Sequence, residues 1–242
     1  MKNIQYTFKR NEIKYIVNAG QKRALLKAIG EKIYPDDYAR YTICNLYCDT
    51  PDSRLIRKSI ESPAYKEKMR IRSYGQAKET DPVFVELKKK YQGIVYKRRM
   101  TMLEQDSWSY FNQQHAQPSQ IEKEMIYFLQ YYKTIRPMMY IAYDREEYSG
   151  KAEDGLRITF DDHILWRTSD LNLRSEVYGH TLLEEGTSIL EIKVSNAMPL
   201  WLTTALSENQ IYKTSFSKYG KAYTAKTKKE QQKELQEERK IA

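Results

Sequence analysis

The stretch VFVELKKK, residues Val83–Lys90, decides the fold because its apolar and charged side chains alternate. In a β-strand successive side chains point to opposite faces, so Val85 and Leu87 share one face while Glu86 and Lys88 share the other. A strand with one apolar and one charged face belongs to a sheet that has one apolar and one charged surface. The stretch therefore predicts a strand of an antiparallel sheet.

Four further stretches repeat this alternation, namely NEIKY (Asn11–Tyr15), KEKMRIR (Lys66–Arg72), LRITFD (Leu156–Asp161) and ILEIKV (Ile189–Val194). The simplest interpretation is a solvated outer face, as in an ordinary antiparallel sheet. The solvent faces of strands usually mix Thr, Ser and Gln with charges of both signs, whereas these faces collect Arg and Lys with few carboxylates. We therefore favour strands that jointly line a charged cavity.

The composition favours an anionic partner. The 242 residues include 41 basic and 32 acidic side chains, which gives a formal net charge of +9. Tyrosines such as Tyr91, Tyr96 and Tyr127 lie among basic residues, as stacking platforms for nucleic acid do. No RNP-like, helix-turn-helix or zinc-finger pattern accompanies them, so we do not expect a nucleic acid partner.

Cysteine and histidine patterns argue against a zinc site. Cys44 and Cys48 form a C-x-x-x-C pair inside a predicted strand, and the three histidines are scattered, so we expect two reduced, half-buried thiols. The N-terminal residues contain no apolar targeting segment, and no stretch is long and apolar enough for a membrane helix. We expect a soluble, cytoplasmic protein of unspecified oligomeric state.

The periodicity predicts about eight strands with helices inserted between them. Asn18 is expected to cap the first helix, two amphipathic helices are expected between Leu103 and Tyr132, and Pro199 opens a short helix. Residues 1–225 are interpreted as one domain and residues 226–242 as a charged helix or tail. No Gly-rich phosphate loop is present, so any phosphate must be bound by side chains.

The ordered charged motifs resemble those of the vacuolar transporter chaperone family, the polyphosphate polymerases, within the triphosphate tunnel (CYTH-like) superfamily. The motifs that carry the resemblance are RNEIKY (Arg10–Tyr15), YKEKMRIRSYG (Tyr65–Gly75), FVELK (Phe84–Lys88), YDREEY (Tyr143–Tyr148), RITFD (Arg157–Asp161), LEIK (Leu190–Lys193) and SFSKY (Ser215–Tyr219). The resemblance implies an α+β fold, an eight-stranded antiparallel β-barrel that forms a tunnel, with flanking helices.

The resemblance also implies an activity, in which the γ-phosphoryl group of ATP is moved onto a polyphosphate chain. The residues implied to hold the reacting phosphates are Lys14, Arg70, Arg72, Lys88, Lys97, Arg145, Arg157 and Lys218. Further substrate contacts are implied for Lys68, Glu86, Arg99, Lys193 and Tyr219. Glu191 and Glu12 are implied to hold Mn²⁺ or Mg²⁺.

The first motif departs from the wider superfamily, whose first strand carries E-x-E-x-K. Here Arg10 replaces the first Glu, which favours the polymerase branch over a two-metal triphosphatase. No segment resembles the inositol-phosphate-sensing domain or the membrane segments of the eukaryotic complex. Two alternatives stay open, a tunnel triphosphatase that hydrolyses inorganic or nucleoside triphosphate, and a non-catalytic module that binds polyphosphate or nucleic acid.

Overall fold

A computed structural model describes residues 11–61, 64–92, 94–109, 118–195 and 197–241 of the chain, without the side chains of 239–241. The strands are β1 (Asn11–Asn18), β2 (Ile33–Asp49), β3 (Tyr65–Tyr74), β4 (Pro82–Tyr91), β5 (Ile94–Leu103), β6 (Arg136–Gly150), β7 (Arg157–Arg167), β8 (His180–Thr181), β9 (Thr187–Val194) and β10 (Lys213–Thr214). The helices are α1 (Ala19–Ile29), α2 (Arg54–Glu61), α3 (Gln120–Tyr132), α4 (Leu200–Glu208) and α5 (Lys218–Ile241).

The strands form one antiparallel sheet in the order β10-β1-β9-β7-β6-β2-β3-β4-β5, with β8 paired to β7. The sheet curves strongly, because Lys88 Nζ on β4 lies 3.6 Å from Glu12 Oε2 on β1, although five strands separate them in the sheet. Among the described strands no ladder joins β5 to β10. The predicted antiparallel tunnel with flanking helices is confirmed, with two additional short strands and an open seam.

Helices cover the convex face of the sheet. Leu87 of β4 packs in one apolar cluster with Met125 and Phe128 of α3. Ile192 of β9 packs in a second cluster with Leu202 of α4. Burial of each such side chain contributes roughly 1.5–3 kcal/mol. Because the apolar members of the alternating stretches face these helices, their charged members must face the concave side.

The start of α5 fills part of the concave face. Phe216 and Tyr219 pack with Ile43, Ile141 and other inward-facing apolar residues of the sheet. The concave face is therefore divided into an apolar portion beneath α5 and a charged portion. The helix continues to Ile241, past the domain boundary that the sequence suggested at residue 226.

Several predicted boundaries change in the structure. Strand β2 begins at Ile33 rather than Tyr41, since a register shift between Pro35 and Arg40 lets the strand continue through turn-forming residues. Strand β7 likewise passes Asp161 and runs through a bulge at His163, whose φ is +45°.

Other local predictions are confirmed. Asn18 and Gln21 form a reciprocal capping box at the start of α1. Cys44 and Cys48 are free thiols as expected, but both are fully buried rather than half-buried. Arg10 and most of the first helix predicted after Leu103 lie outside the described residues. Within the described residues, no helix has both the length and the apolar character that crossing a membrane requires.

Candidate functional site

The charged residues predicted from the alternating strands share the concave face of the sheet. They come from β1, β3, β4, β5, β6, β7, β9 and the start of α5, and are Glu12, Lys14, Lys68, Arg70, Arg72, Glu86, Lys88, Lys97, Arg99, Arg145, Arg157, Lys218, Glu191 and Lys193. Contacts between distant strands confirm that these side chains converge, as in the Lys88–Glu12 pair. We call this surface the tunnel.

Glu86 organises the cations on one wall of the tunnel. Its Oε2 accepts a hydrogen bond from Arg70 Nε at 2.7 Å, and its Oε1 accepts from Arg99 Nε at 2.7 Å and lies 2.7 Å from Lys97 Nζ. Burial alone would raise the pKa of Glu86, but Arg70, Arg72 and Lys97 outweigh it and hold the pKa far below its usual value. A carboxylate in this state cannot donate to phosphate. The geometry therefore favours a positioning role for Glu86 over the predicted substrate contact.

Arg72 lies deeper in the same wall and depends on a residue that the sequence analysis missed. Its Nε donates to Asn45 Oδ1 at 3.2 Å, and Asn45 Nδ2 donates to the backbone oxygen of Ile141 at 3.0 Å. Asn45 is fully buried on the inner face of β2. Its only sequence signal is an amide within the otherwise apolar run ICNLYC. The amide fixes the direction in which the Arg72 guanidinium points.

Three lysines stand directly opposite one another on adjacent strands of this wall. Lys88 of β4 is the register partner of both Lys68 on β3 and Lys97 on β5. Burial lowers the pKa of Lys97 to about 8, and burial together with the charges of Lys14 and Lys88 lowers the pKa of Lys68 to about 8. Like charges directly opposite each other destabilise a sheet. This row is therefore suited to a bound anion.

Asp161 holds two predicted cations on the opposite wall. Its Oδ1 accepts from Arg145 Nε at 2.6 Å, and its Oδ2 lies 2.5 Å from Lys218 Nζ at the start of α5. Burial would raise the pKa of Asp161, but Lys218 and Arg145 lower it overall. Arg157 on the same strand donates to Glu147, which also accepts from the Tyr41 hydroxyl at 2.7 Å. Each cation is thus held in place before any phosphate arrives.

The two predicted metal ligands lie close together on β1 and β9. Lys14 Nζ is 3.1 Å from Glu12 Oε1 and 3.3 Å from Glu191 Oε2, and Lys193 Nζ is 2.6 Å from Glu191 Oε1. Burial raises the pKa of Glu191, but Lys193 and Lys14 hold it well below its usual value. The two carboxylates therefore remain ionised and already share one cation, the Lys14 ammonium.

Tyr219 is placed differently from the predicted substrate contact. Its hydroxyl donates to the buried Asp49 Oδ2 at 3.0 Å, and its ring stacks on Tyr47 with centroids 4.7 Å apart. The Tyr47 hydroxyl in turn accepts from Arg70 at 3.2 Å. Tyr219 therefore packs against Tyr47, which in turn contacts Arg70, and its own hydroxyl is engaged by Asp49. Neither Tyr47 nor Asp49 was singled out from the sequence.

A second acidic cluster lies outside the tunnel. Ligand atoms of Asp144, Asp162 and His163 lie within 4.8 Å of one another. Arg40 contacts both carboxylates, at 3.3 Å from Asp144 Oδ2 and 2.5 Å from Asp162 Oδ1, and Lys22 lies 3.7 Å from Asp162 Oδ2. The protein's own cations therefore satisfy this exposed cluster.

Comparison with solved structures finds several distant similarities. A candidate adenylate cyclase from Bacillus halodurans superposes with a TM-score of 0.53 at 13% identity, covering 88% of this chain and 96% of that one. A candidate adenylate cyclase from Vibrio parahaemolyticus gives 0.49 at 11% identity, with 90% and 99% covered. The PH1819 protein from Pyrococcus horikoshii gives 0.47 at 14% identity, with 90% and 98% covered. A search of curated proteins gives no match.

A family model identifies the protein family, which these distant structural similarities do not. The model of the VTC domain matches residues 9–226, which is most of the chain and includes every motif that carried the resemblance. The match confirms the family inferred from the motifs, and the Bacillus halodurans structure confirms its fold. This protein therefore belongs to the VTC domain family of triphosphate tunnel proteins.

Proposed function

We propose that this protein is an ATP-dependent polyphosphate polymerase, which moves the γ-phosphoryl group of ATP onto a polyphosphate chain inside the tunnel. The observation that carries the proposal is the set of like-charged register partners on the concave face. Lys68, Lys88 and Lys97 form one such row, and Arg157 and Lys193 form another. These like-charged pairs weaken the sheet, although carboxylates contact several of their members, and an anion between them would remove the repulsion. A chain of phosphates supplies that anion along the whole surface.

A contact between the two walls of the tunnel supports a ligand that touches both of them. Lys88 and Glu12 on opposite walls lie 3.6 Å apart, so a phosphate bound at Lys88 also reaches the residues of β1. Arg70 and Arg99 bring guanidinium groups from one wall, where Glu86 holds them, and Arg145 brings one from the other, where Asp161 holds it. Because carboxylates hold these cations beforehand, little rearrangement is needed to stabilise charge during the reaction.

The proposed reaction needs no covalent nucleophile. An ionised oxygen of the terminal phosphate of the polymer attacks the γ-phosphorus of ATP, while the bond from that phosphorus to the oxygen bridging to the β-phosphate breaks and its electron pair leaves with ADP. The attacking oxygen carries no proton, so no general base is required. The tunnel cations align the two phosphate chains and stabilise the charge that spreads over the transferred group.

The residues on β1 and β9 fit a divalent cation. Glu12 and Glu191 offer hard carboxylate oxygens, and the Lys14 ammonium shows that both can approach one positive charge. Mg²⁺ and Mn²⁺ are commonly bound by one or two carboxylates together with substrate phosphates. We propose Glu191 and Glu12 as the residues that would hold such an ion. When bound, the ion would neutralise part of the phosphate charge.

The test is to incubate the purified protein with ATP and Mn²⁺ and to resolve the products. A polymerase yields a ladder of polyphosphate and one ADP for each phosphate added to the polymer. A tunnel triphosphatase yields free phosphate. Binding of triphosphate without turnover would indicate a non-catalytic module. Arg99→Ala is expected to reduce polymer formation, while its neighbour Arg98→Ala is the matched control, because Arg98 pairs with Glu124 of α3 on the convex face. Free phosphate without polymer would contradict the proposal.

A further inference from the structure

Thr159 is a buried polar residue on the inner face of β7, between Arg157 and Asp161. Its relative exposure is 1%, and its hydroxyl oxygen has no hydrogen-bond partner within the described part of the chain. A buried hydroxyl without a partner costs free energy, and a valine of the same shape would avoid that cost. The unsatisfied hydroxyl therefore points to a partner that the described residues do not supply.

Two carboxylates flank Thr159, and other residues of the chain already donate to both of them. Its register partners are Glu147 on β6 and Glu191 on β9, so the three residues form a row across the tunnel floor. Glu147 accepts from Arg157 and Tyr41, and Glu191 lies against Lys193 and Lys14. Every carboxylate oxygen in the row thus has another donor.

The cations beside Thr159 are those that a phosphate would attract. Arg157 and Lys193 are register partners of each other, one position along each strand face from Thr159 and Glu191. A phosphate between these two like charges competes with Glu147 and Glu191 for them. The remaining oxygens of this phosphate then need hydrogen-bond donors close to β7. Thr159 can provide one without adding charge to the floor.

We propose that Thr159 is a substrate-contacting residue, whose hydroxyl donates a hydrogen bond to an oxygen of the phosphate held between Arg157 and Lys193. The inference rests on the proposed binding of a phosphate chain in the tunnel and adds one specific contact to it. The phosphate supplies the acceptor that is missing at this position among the described residues. The contact forms only with ligand bound, which separates it from an ordinary packing role.

The test compares Thr159→Val, which keeps the shape but removes the hydroxyl, with Thr159→Ser, which keeps the hydroxyl. Binding of inorganic triphosphate is measured by calorimetry in EDTA, so that no metal or turnover enters the result, and Tm is measured without ligand. We expect Thr159→Val to keep or raise Tm and to weaken binding about 10- to 100-fold, the range for loss of a hydrogen bond to a charged group. The affinity of Thr159→Ser for triphosphate should lie within about threefold of that of the wild type.

Three results would overturn the inference. Binding by Thr159→Val within about twofold of the wild type would show that the hydroxyl makes no contact. Loss of Tm and of affinity in both variants would show that Thr159 serves packing alone. If the wild type itself does not bind triphosphate, the proposed function fails as well, and this outcome is distinct from a failure confined to the variants.

Discussion

Glu86 illustrates at the scale of one residue how the tunnel keeps many cations on one surface. Its side chain is 1% exposed, and Arg70, Lys97 and Arg99 all lie within hydrogen-bonding distance of it. An unpaired buried charge would cost several kcal/mol, so each cation needs either a carboxylate or a phosphate. The carboxylates of the tunnel therefore hold its cations in the positions that the proposed phosphate chain would use.

Glu191→Gln tests the proposed metal ligand at this scale. The substitution removes the charge and keeps the shape, so phosphoryl transfer should fall by at least roughly a hundredfold while ATP binding survives. Activity at saturating Mn²⁺ and ATP affinity are both measured. Glu185→Gln, in the exposed turn before β9, is the control and should behave as the wild type. Near-normal turnover of Glu191→Gln would mean that Glu191 only pairs with Lys193 and Lys14.

Strand alternation predicted which face each charged residue occupies, and the structure agrees for Lys88, Glu86 and Glu191. It could not predict the pairings, since Lys218 meets Asp161 across 57 positions of sequence. Asn45 was missed because a single amide in an apolar run gives no periodic signal. Pairings of this kind depend on how the sheet curves, which the alternation of single strands does not specify.

Helix α5 shows at the scale of elements how packing positions the site. Its first residue, Lys218, reaches Asp161 in the tunnel, while Tyr219 reaches Asp49 at the end of β2. The fully buried Asp49 also accepts hydrogen bonds from the backbone of Leu55 and Ile56, at 2.8 and 3.0 Å, at the start of α2. One carboxylate therefore joins α2, α5 and the sheet, which suits an N-terminal helix cap.

Asp49→Ala should destabilise the fold strongly. It leaves two helix N–H groups and the Tyr219 hydroxyl without an acceptor in a buried site, which we expect to lower the free energy of unfolding by about 3 kcal/mol or more. Denaturant unfolding measures the change. The control is Asp52→Ala, which removes an exposed ion pair with Arg57 and a side-chain hydrogen bond with Thr50, and which should cost much less than Asp49→Ala. Equal costs for the two variants would contradict the anchoring role of Asp49.

The order and type of the elements were largely predictable, whereas their ends were not. Pro199 and the apolar period of Leu202 and Leu206 predicted α4 correctly. The N-terminal extension of β2 was missed because Pro35, Asp36 and Asp37 are typical of a turn, yet pairing with β6 keeps that segment in the sheet. Tertiary pairing overrides local preference at such edges.

Part of the excess positive charge of the whole molecule lies inside the tunnel. This charge predicts that the affinity for a phosphate chain depends on pH. Burial lowers the pKa of Lys68 to about 8, so this lysine loses its proton in the unliganded protein above that pH. A bound phosphate chain requires the charged form. Affinity should therefore fall as pH rises through 8, by up to about tenfold between pH 7 and pH 9 for one linked proton.

Two comparisons check the sign of this effect. Without ligand, the unfolded chain binds more protons than the folded one between pH 8 and the usual lysine pKa, so stability linked to Lys68 should rise over that interval. Lys68→Arg stays charged, and triphosphate binding by this variant should lose the contribution of Lys68 to the pH dependence. If the variant and the wild type show the same dependence in calorimetric titrations from pH 7 to 9, Lys68 does not take part.

The most direct test of the tunnel compares two adjacent lysines of one strand in titrations with inorganic triphosphate. Lys88 faces the tunnel and lies near Glu12, whereas Lys89 faces outward and lies near Glu67. Both substitutions to Ala remove one charge from β4, so net charge cannot distinguish them. We predict that Lys88→Ala weakens binding about tenfold or more and that Lys89→Ala binds within about twofold of the wild type. Equal effects of the two substitutions would contradict a phosphate chain bound inside the tunnel.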